Sequence, residues 1–250
     1  MKIIDVNCAV GAPLESRRFT TVEGLLRWMD EYRIESALVH HAEAQRDPYM
    51  ANALMQRISA ESGGRIRACM ALNPSLEDLG LPGEGNLVTR LKALRPSAVR
   101  AFPDVQKYPF TAFYASHILE ACQQLRMPLI VDVTYSDLFL AMLPEICEKY
   151  PDVPLILPRF GLNRSRQYMP ILEKLPNVYL DMSIMLDTGS IEEICERFGS
   201  EHLLFGSGLP VYEPGGALGL LYYAQISDAD KENIAHANFE RLERAIRWDA

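Results

Sequence analysis

The chain has 250 residues, 48% hydrophobic and 23% charged, enough apolar material for a sizeable core and unlike a disordered or fibrous chain. Its net charge is −8 with scattered Lys and Arg, which excludes the clustered basic footprint of a nucleic-acid or anionic-membrane binder. No apolar run reaches the ~20 residues of a membrane-spanning helix, and the five cysteines, odd in number and never in a C-x-x-C pair, read as reduced thiols.

Eight short runs rich in Val, Ile and Leu are predicted as strands, at 3–10, 36–42, 66–73, 98–102, 129–134, 155–160, 178–183 and 203–207. Amphipathic stretches at 22–32, 49–62, 112–125, 138–150, 191–198 and 229–247 are predicted as helices between them. The gap at 74–96 holds a Gly/Pro-rich piece, 80–85, and then a short helix. Arg126-Met127-Pro128, Pro151-Asp152-Val153-Pro154 and Leu175-Pro176-Asn177 stop the helices ahead of three strands, because proline disfavours helical geometry in the residue before it. The alternation predicts an α/β chain folded as a (β/α)8 TIM barrel, one domain over 1–250. A doubly wound open sheet is the alternative, and no G-x-G-x-x-G follows the first strand to favour it.

In such a barrel the working side chains stand at the C-terminal ends of the strands. Strand alternation aims Asn7, Arg100, Asp132, Arg159, Asp181 and Ser183 into the mouth. His40 and His41 face opposite sides of the second strand, and His41 is the one taken to reach the mouth. Cys8 reads as a small buried hydrophobe rather than a reactive thiol. Two readings of the charged set stand side by side. In one, Arg100 and Arg159 clamp a carboxylate or phosphate while Asp132 or Asp181 exchanges protons with it. In the other, Asp132 and Arg159 form a salt bridge that fills the mouth, with Arg100 and Asp181 paired elsewhere. Loop and helix-start segments at 46–52, 164–168 and 210–216 are expected to border the site, with Arg164 and Arg166 adding positive charge.

Five segments follow one another along the chain: Ile3-Ile4-Asp5-Val6-Asn7-Cys8-Ala9, the stretch from Pro151-Asp152 to Gly161, Asn177-Val178-Tyr179-Leu180-Asp181-Met182-Ser183, Phe205-Gly206-Ser207, and Asn238 with Arg241-Leu242. Their order and spacing resemble the amidohydrolase superfamily, in the amidohydrolase-related branch of metal-dependent decarboxylases and lactone hydrolases. The resemblance implies Asp-x-His-x-His on the first strand, where this chain has Asp5-Val6-Asn7-Cys8-Ala9. It implies histidines at Asp132 and Arg159 and an aspartate at Gly208. All five metal-ligand positions differ, and Arg159 is a permanent cation. The expectation is therefore no metal and no cofactor. The chain reads as a metal-independent hydrolase or lyase acting on a small anionic substrate, with Asp132 and Asp181 catalytic and Asn7, His41, Arg100, Arg159 and Ser183 binding. The alternative is a non-catalytic barrel that binds a small molecule or a partner. An aldolase is set aside because no predicted strand holds an internal lysine. A cytoplasmic location is expected, because Met1-Lys2 leads directly into a strand. Neither nucleic acid nor membrane is expected as a partner, and self-association is left open.

Overall fold

Proline governs the approach to several strands, as the sequence pattern requires. Pro128 and Pro154 sit next to or immediately before β5 (Leu129–Val131) and β6 (Leu155–Leu157), and the pair Pro176-Asn177 precedes β7 (Val178–Asp181). The other strands are β1 (Ile4–Val10), β2 (Ser36–His41), β3 (Ile66–Ala71), β4 (Ala98–Ala101) and β8 (Leu203–Leu204). The computed structural model describes residues 1–12, 20–75, 80–161 and 163–249, so part of the 74–96 gap lies outside the described residues. The strands pair in parallel and in sequence order, from β1 to β8. The segment after β8 joins β1: Val6 N donates to Phe205 O at 2.9 Å, Ala9 N to Leu209 O at 2.9 Å, and Gly208 N to Asn7 O at 3.0 Å. This is a (β/α)8 barrel, not an open doubly wound sheet.

Two apolar layers result from the period-2 alternation of the strands. Ile4, Val6, Leu38, Cys69, Ala98, Ile130, Ile156 and Leu204 form one buried cluster within the barrel, joined by Phe239 and Leu242. Val39, Val99, Val131, Leu157 and Leu180 point the other way, into the shell shared with the helices. Helix starts are fixed by short polar caps. Thr21 accepts from Gly24 N ahead of Val22–Glu31, Asp47 from Met50 N ahead of Pro48–Glu61, and Ser136 from Phe139 N ahead of Asp137–Lys149.

All eight predicted strands are present, several of them shorter at the C-terminal end because the chain turns there into the mouth loops. The helix predicted at 112–125 starts only at Ser116. The one at 229–247 is divided into Asp228–Glu232, a π turn at Asn233–Ala237 and Asn238–Arg244. At that π turn the Ile234 carbonyl accepts Phe205 N at 2.9 Å. The two later segments read as loop and helix start, 164–168 and 210–216, do open helices, Ser165–Lys174 and Pro214–Tyr223. Among the described residues no helix is long and apolar enough to cross a membrane, and the five cysteines are free.

Candidate functional site at the barrel mouth

Counting two residues onward from the interior layer gives the mouth. Leu38 leads to His40, Ala98 to Arg100 and Ile130 to Asp132, each on the same face of its strand. Asn7 arrives by a different route, because the β1–β2 register shifts between Asp5 and Cys8. Asn7, His40, Arg100, Asp132, Arg159 and Gly208 line one cavity, together with Ala9, Gln45, Leu209, Pro210 and Val211. The space left free is about 20 Å³, room for a single water molecule.

The centre of the site is one carboxylate between two guanidiniums. Arg100 Nη2 donates to Asp132 Oδ2 at 2.8 Å, and Arg159 Nη2 donates to Asp132 Oδ1 at 2.5 Å. Arg100 is 1% exposed and is held from two more sides, donating to Asn7 Oδ1 at 3.1 Å and to His40 Nδ1 at 3.1 Å. A guanidinium only donates, so His40 Nδ1 is the acceptor and the ring proton sits on Nε2. Phe102 lies under Arg100 at 5.5 Å and beside the His40 ring at 5.5 Å. Burial and the Arg100 and Arg159 charges keep the His40 pKa well below its usual value, so the imidazole is neutral. Burial pushes the Asp132 carboxyl up, but the two guanidinium charges and their hydrogen bonds together outweigh it and hold the pKa below the usual carboxylate range.

Behind this lining stands a frame of acceptors for backbone N–H groups. Asp181 Oδ1 accepts from Arg159 N at 2.9 Å, from Ser183 N at 3.1 Å and from the Ser183 hydroxyl at 2.7 Å; its Oδ2 accepts from Asn7 Nδ2 at 2.6 Å. That first bond holds Arg159 in a left-handed backbone conformation, φ 58°, which a non-glycine residue adopts at a cost of about 1 kcal/mol or more. Asp5 Oδ1 likewise accepts from Asn7 N and Ser207 N, both at 3.0 Å. Gly206 is required here, since a Cβ would stand 2.9 Å from Asp181 Oδ2.

Of the residues expected at the mouth, Asn7, Arg100, Asp132 and Arg159 line the cavity, while Asp181 and Ser183 stand directly behind it. His41 does not line it. Its Nδ1 accepts from Glu43 N at 3.2 Å and its ring lies against Gly11, so His40 takes the inward place. The expected separate pairing of Arg100 and Asp181 is also replaced, because Arg100 shares Asp132 with Arg159. Arg164 does not line the cavity; it stacks over Tyr135 and Phe160 and donates to Tyr135 O at 3.2 Å. Arg166 lines another cleft, with Asp187 and Glu193. His40 and Gln45 were missed, and stepping by two from Leu38 would have found the first.

The donor set does not suit a divalent metal. Among the described residues Asp132 supplies the cavity's only carboxylate and both its oxygens accept from guanidiniums, while the facing nitrogen of His40 accepts from a third N–H. A Cβ at Gly208, whose φ is 76°, would lie 2.7 Å from the Tyr212 ring, so a side chain has no ready place there. Among the described residues no group of three or more His, Cys, Asp or Glu side chains is arranged to hold a metal ion.

The amidohydrolase family model matches residues 29–242, and the chain belongs to that family. No curated protein matches the chain. Among solved structures it is similar to an uncharacterized TIM-barrel protein from Bordetella bronchiseptica, at 15% identity and a TM-score of 0.75, covering 98% of this chain and 99% of that one. It is similar to a dihydroxybenzoic acid decarboxylase from Polaromonas, solved with bound manganese and the inhibitor 2-nitroresorcinol, at 17% identity, TM-score 0.73 and 97% of each chain. A 5-carboxyvanillate decarboxylase from Sphingomonas paucimobilis superposes at 14% identity and TM-score 0.72, over 97% of this chain and 99% of that one. At these identities the likeness carries the fold alone.

Proposed function

We propose that this amidohydrolase family member works without a divalent metal, and that its mouth binds a small carboxylate or phosphate as a ligand rather than hydrolysing it. The observation that carries the reading is Asp132 held between Arg100 and Arg159. Among the described residues of the lining, two permanent cations face one carboxylate, in a chain whose net charge is −8. The exposed part of Arg159, 22% of its side chain, is the face an incoming anion meets first. With room for one water, a larger ligand must sit on the outer side of that guanidinium or displace Val211 at the rim.

Catalysis by the carboxylates, a metal-independent hydrolase or lyase, is the second reading. It is less well supported, because a general base for neutral pH needs a pKa near 7 and Asp132 is held below the ordinary carboxylate range. The test combines elemental analysis of the purified protein with thermal shifts in acetate, benzoate and inorganic phosphate. The expected result is far less than one equivalent of zinc or manganese, and a rise in Tm with at least one anion that Arg159→Ala abolishes. One equivalent of metal whose removal by a chelator lowers Tm would overturn the proposal.

A further inference from the structure

At the opposite end of the barrel a cleft of about 270 Å³ opens where the chain enters β6 and β7. This is just below the usual range for small-molecule sites, about 300–1,000 Å³. Its walls are of two kinds. Pro151, Pro154 and Pro176, with Leu242 and Ala245, make an apolar side. Arg126, Arg241 and Tyr179 supply donors on the other.

The polar side is built rather than incidental. Arg241 Nη1 donates to Asn238 Oδ1 at 2.9 Å and Nη2 to Glu201 O at 3.1 Å, so the guanidinium is fixed before any ligand arrives. Asn238, fully buried, is itself anchored by donating to Ser200 O at 2.7 Å and Leu203 O at 2.9 Å. Asn177 spends its amide donors on Tyr150 O and Val153 O, both at 3.1 Å, which fixes the neighbouring wall. Among the described residues the one carboxylate in the lining, Asp152, is offset by Arg247 at 3.1 Å. Among the described residues neither Arg126 nor Arg241 pairs with a carboxylate, so the cleft keeps an uncompensated positive charge.

We infer that this cleft is a second ligand site, distinct from the mouth, for a small organic anion: a carboxylate or phosphate monoester on a ring-sized apolar body. The anionic end engages Arg126 and Arg241, two planar forks suited to oxyanions. The ring packs on the three prolines, where inorganic phosphate gains nothing.

Calorimetric titration with phenyl phosphate tests this, performed in the full-length Arg159→Ala protein so that binding at the mouth does not contribute. The expected result is one bound equivalent, with inorganic phosphate binding about tenfold more weakly. Adding Arg126→Ala weakens phenyl phosphate by about tenfold while the Tm of the unliganded protein stays unchanged, and Arg126→Lys restores part of the loss. Absence of saturable binding up to about 10 mM overturns the site. So does an affinity that Arg126→Ala leaves intact, or equal binding of phenyl and inorganic phosphate.

Discussion

Removing Asp132 leaves two cations behind, and they are not equivalent. The Arg100 side chain is 2% exposed and that of Arg159 22%. In Asp132→Ala, Arg100 keeps only the neutral acceptors Asn7 Oδ1 and His40 Nδ1. A buried charge stripped of its partner costs about 3–5 kcal/mol. Arg159 can turn toward water, and its half of the pair is worth about 1 kcal/mol or less, closer to a surface bridge. The double variant Arg100→Met with Asp132→Leu strands no buried charge. It should therefore cost less than the sum of its single changes by about 2 kcal/mol, within the range found for side chains in contact. The cycle of Asp132 with Arg159 should show a smaller coupling, below about 1 kcal/mol. Urea unfolding of each protein reads these differences, with constant m-values confirming that the unfolded state has not changed. Acid adds a second reading. The folded pKa of Asp132 is depressed, so its contribution is complete above the unfolded value of about 3.9 and is lost as pH falls through the folded value. Asp132→Asn should flatten that acid limb. Additivity within about 0.5 kcal/mol for the Arg100 cycle, or a larger coupling at Arg159, would refute the assignment of Arg100 as the buried partner.

Asp5 titrates in the opposite sense: burial raises its pKa, and its Oδ2 has no hydrogen-bond partner. Protonation therefore stabilises the fold below about pH 4, an effect lost as pH rises through the folded value, so Asp5→Asn should add on the order of 1 kcal/mol in urea at pH 7 and nothing in acid. A loss at pH 7 would show that the ionised carboxylate is needed. Gly161→Ala should lower stability by about 1–3 kcal/mol, because its Cβ would stand 2.7 Å from Met185 Cα and 2.9 Å from Ile184 O, both backbone atoms that cannot rotate away; an unchanged urea midpoint would contradict that packing. Cys8, Cys69, Cys122 and Cys147 are buried, and burial pushes the Cys69 and Cys147 thiols up to about 12. A thiol reagent should label the native protein slowly and all five cysteines once it is unfolded; rapid labelling of the native protein at more than Cys195 would count against this packing.

The barrel was legible because its two signals are local: apolar strand runs, and prolines that stop the helices before them. Legibility failed where a residue's role depends on its neighbours. The helix Ser165–Lys174 was read only as a helix start at 164–168, and it holds Pro170 in its interior. The extent of Pro214–Tyr223 was not read beyond its start within 210–216, since it opens on Pro214-Gly215-Gly216, which scans as a turn. At the mouth, alternation named Arg100 and Asp132 correctly. It chose the wrong histidine on β2, because the phase was not tied to the interior layer that includes Leu38. The Asp132–Arg159 bridge was one of the two readings of the charged set, but Arg100's share in the same carboxylate was not read. Which of two cations reaches Asp132 is set by side-chain direction across β4, β5 and the turn after β6, and both do.

The mouth separates into groups that shape the backbone and groups that set its chemistry. Asp5 and Asp181 accept four backbone N–H groups between them, from Asn7, Ser207, Arg159 and Ser183, and so hold the turns at three strand ends. His40, Arg100, Asp132 and the Arg159 side chain face the cavity, where they determine charge and room. Arg159 belongs to both groups through different atoms: its N–H satisfies Asp181 and its guanidinium satisfies Asp132. A side-chain truncation there leaves the backbone bond in place, so a change in anion binding in Arg159→Ala reports on the guanidinium. Asp181 has no such separation, because the carboxylate that would touch a ligand through Asn7 also fixes the backbone of Arg159 and Ser183. Loss of binding on changing Asp181 would therefore follow from a distorted mouth as readily as from lost chemistry, and the lining residues are where a functional assay is informative.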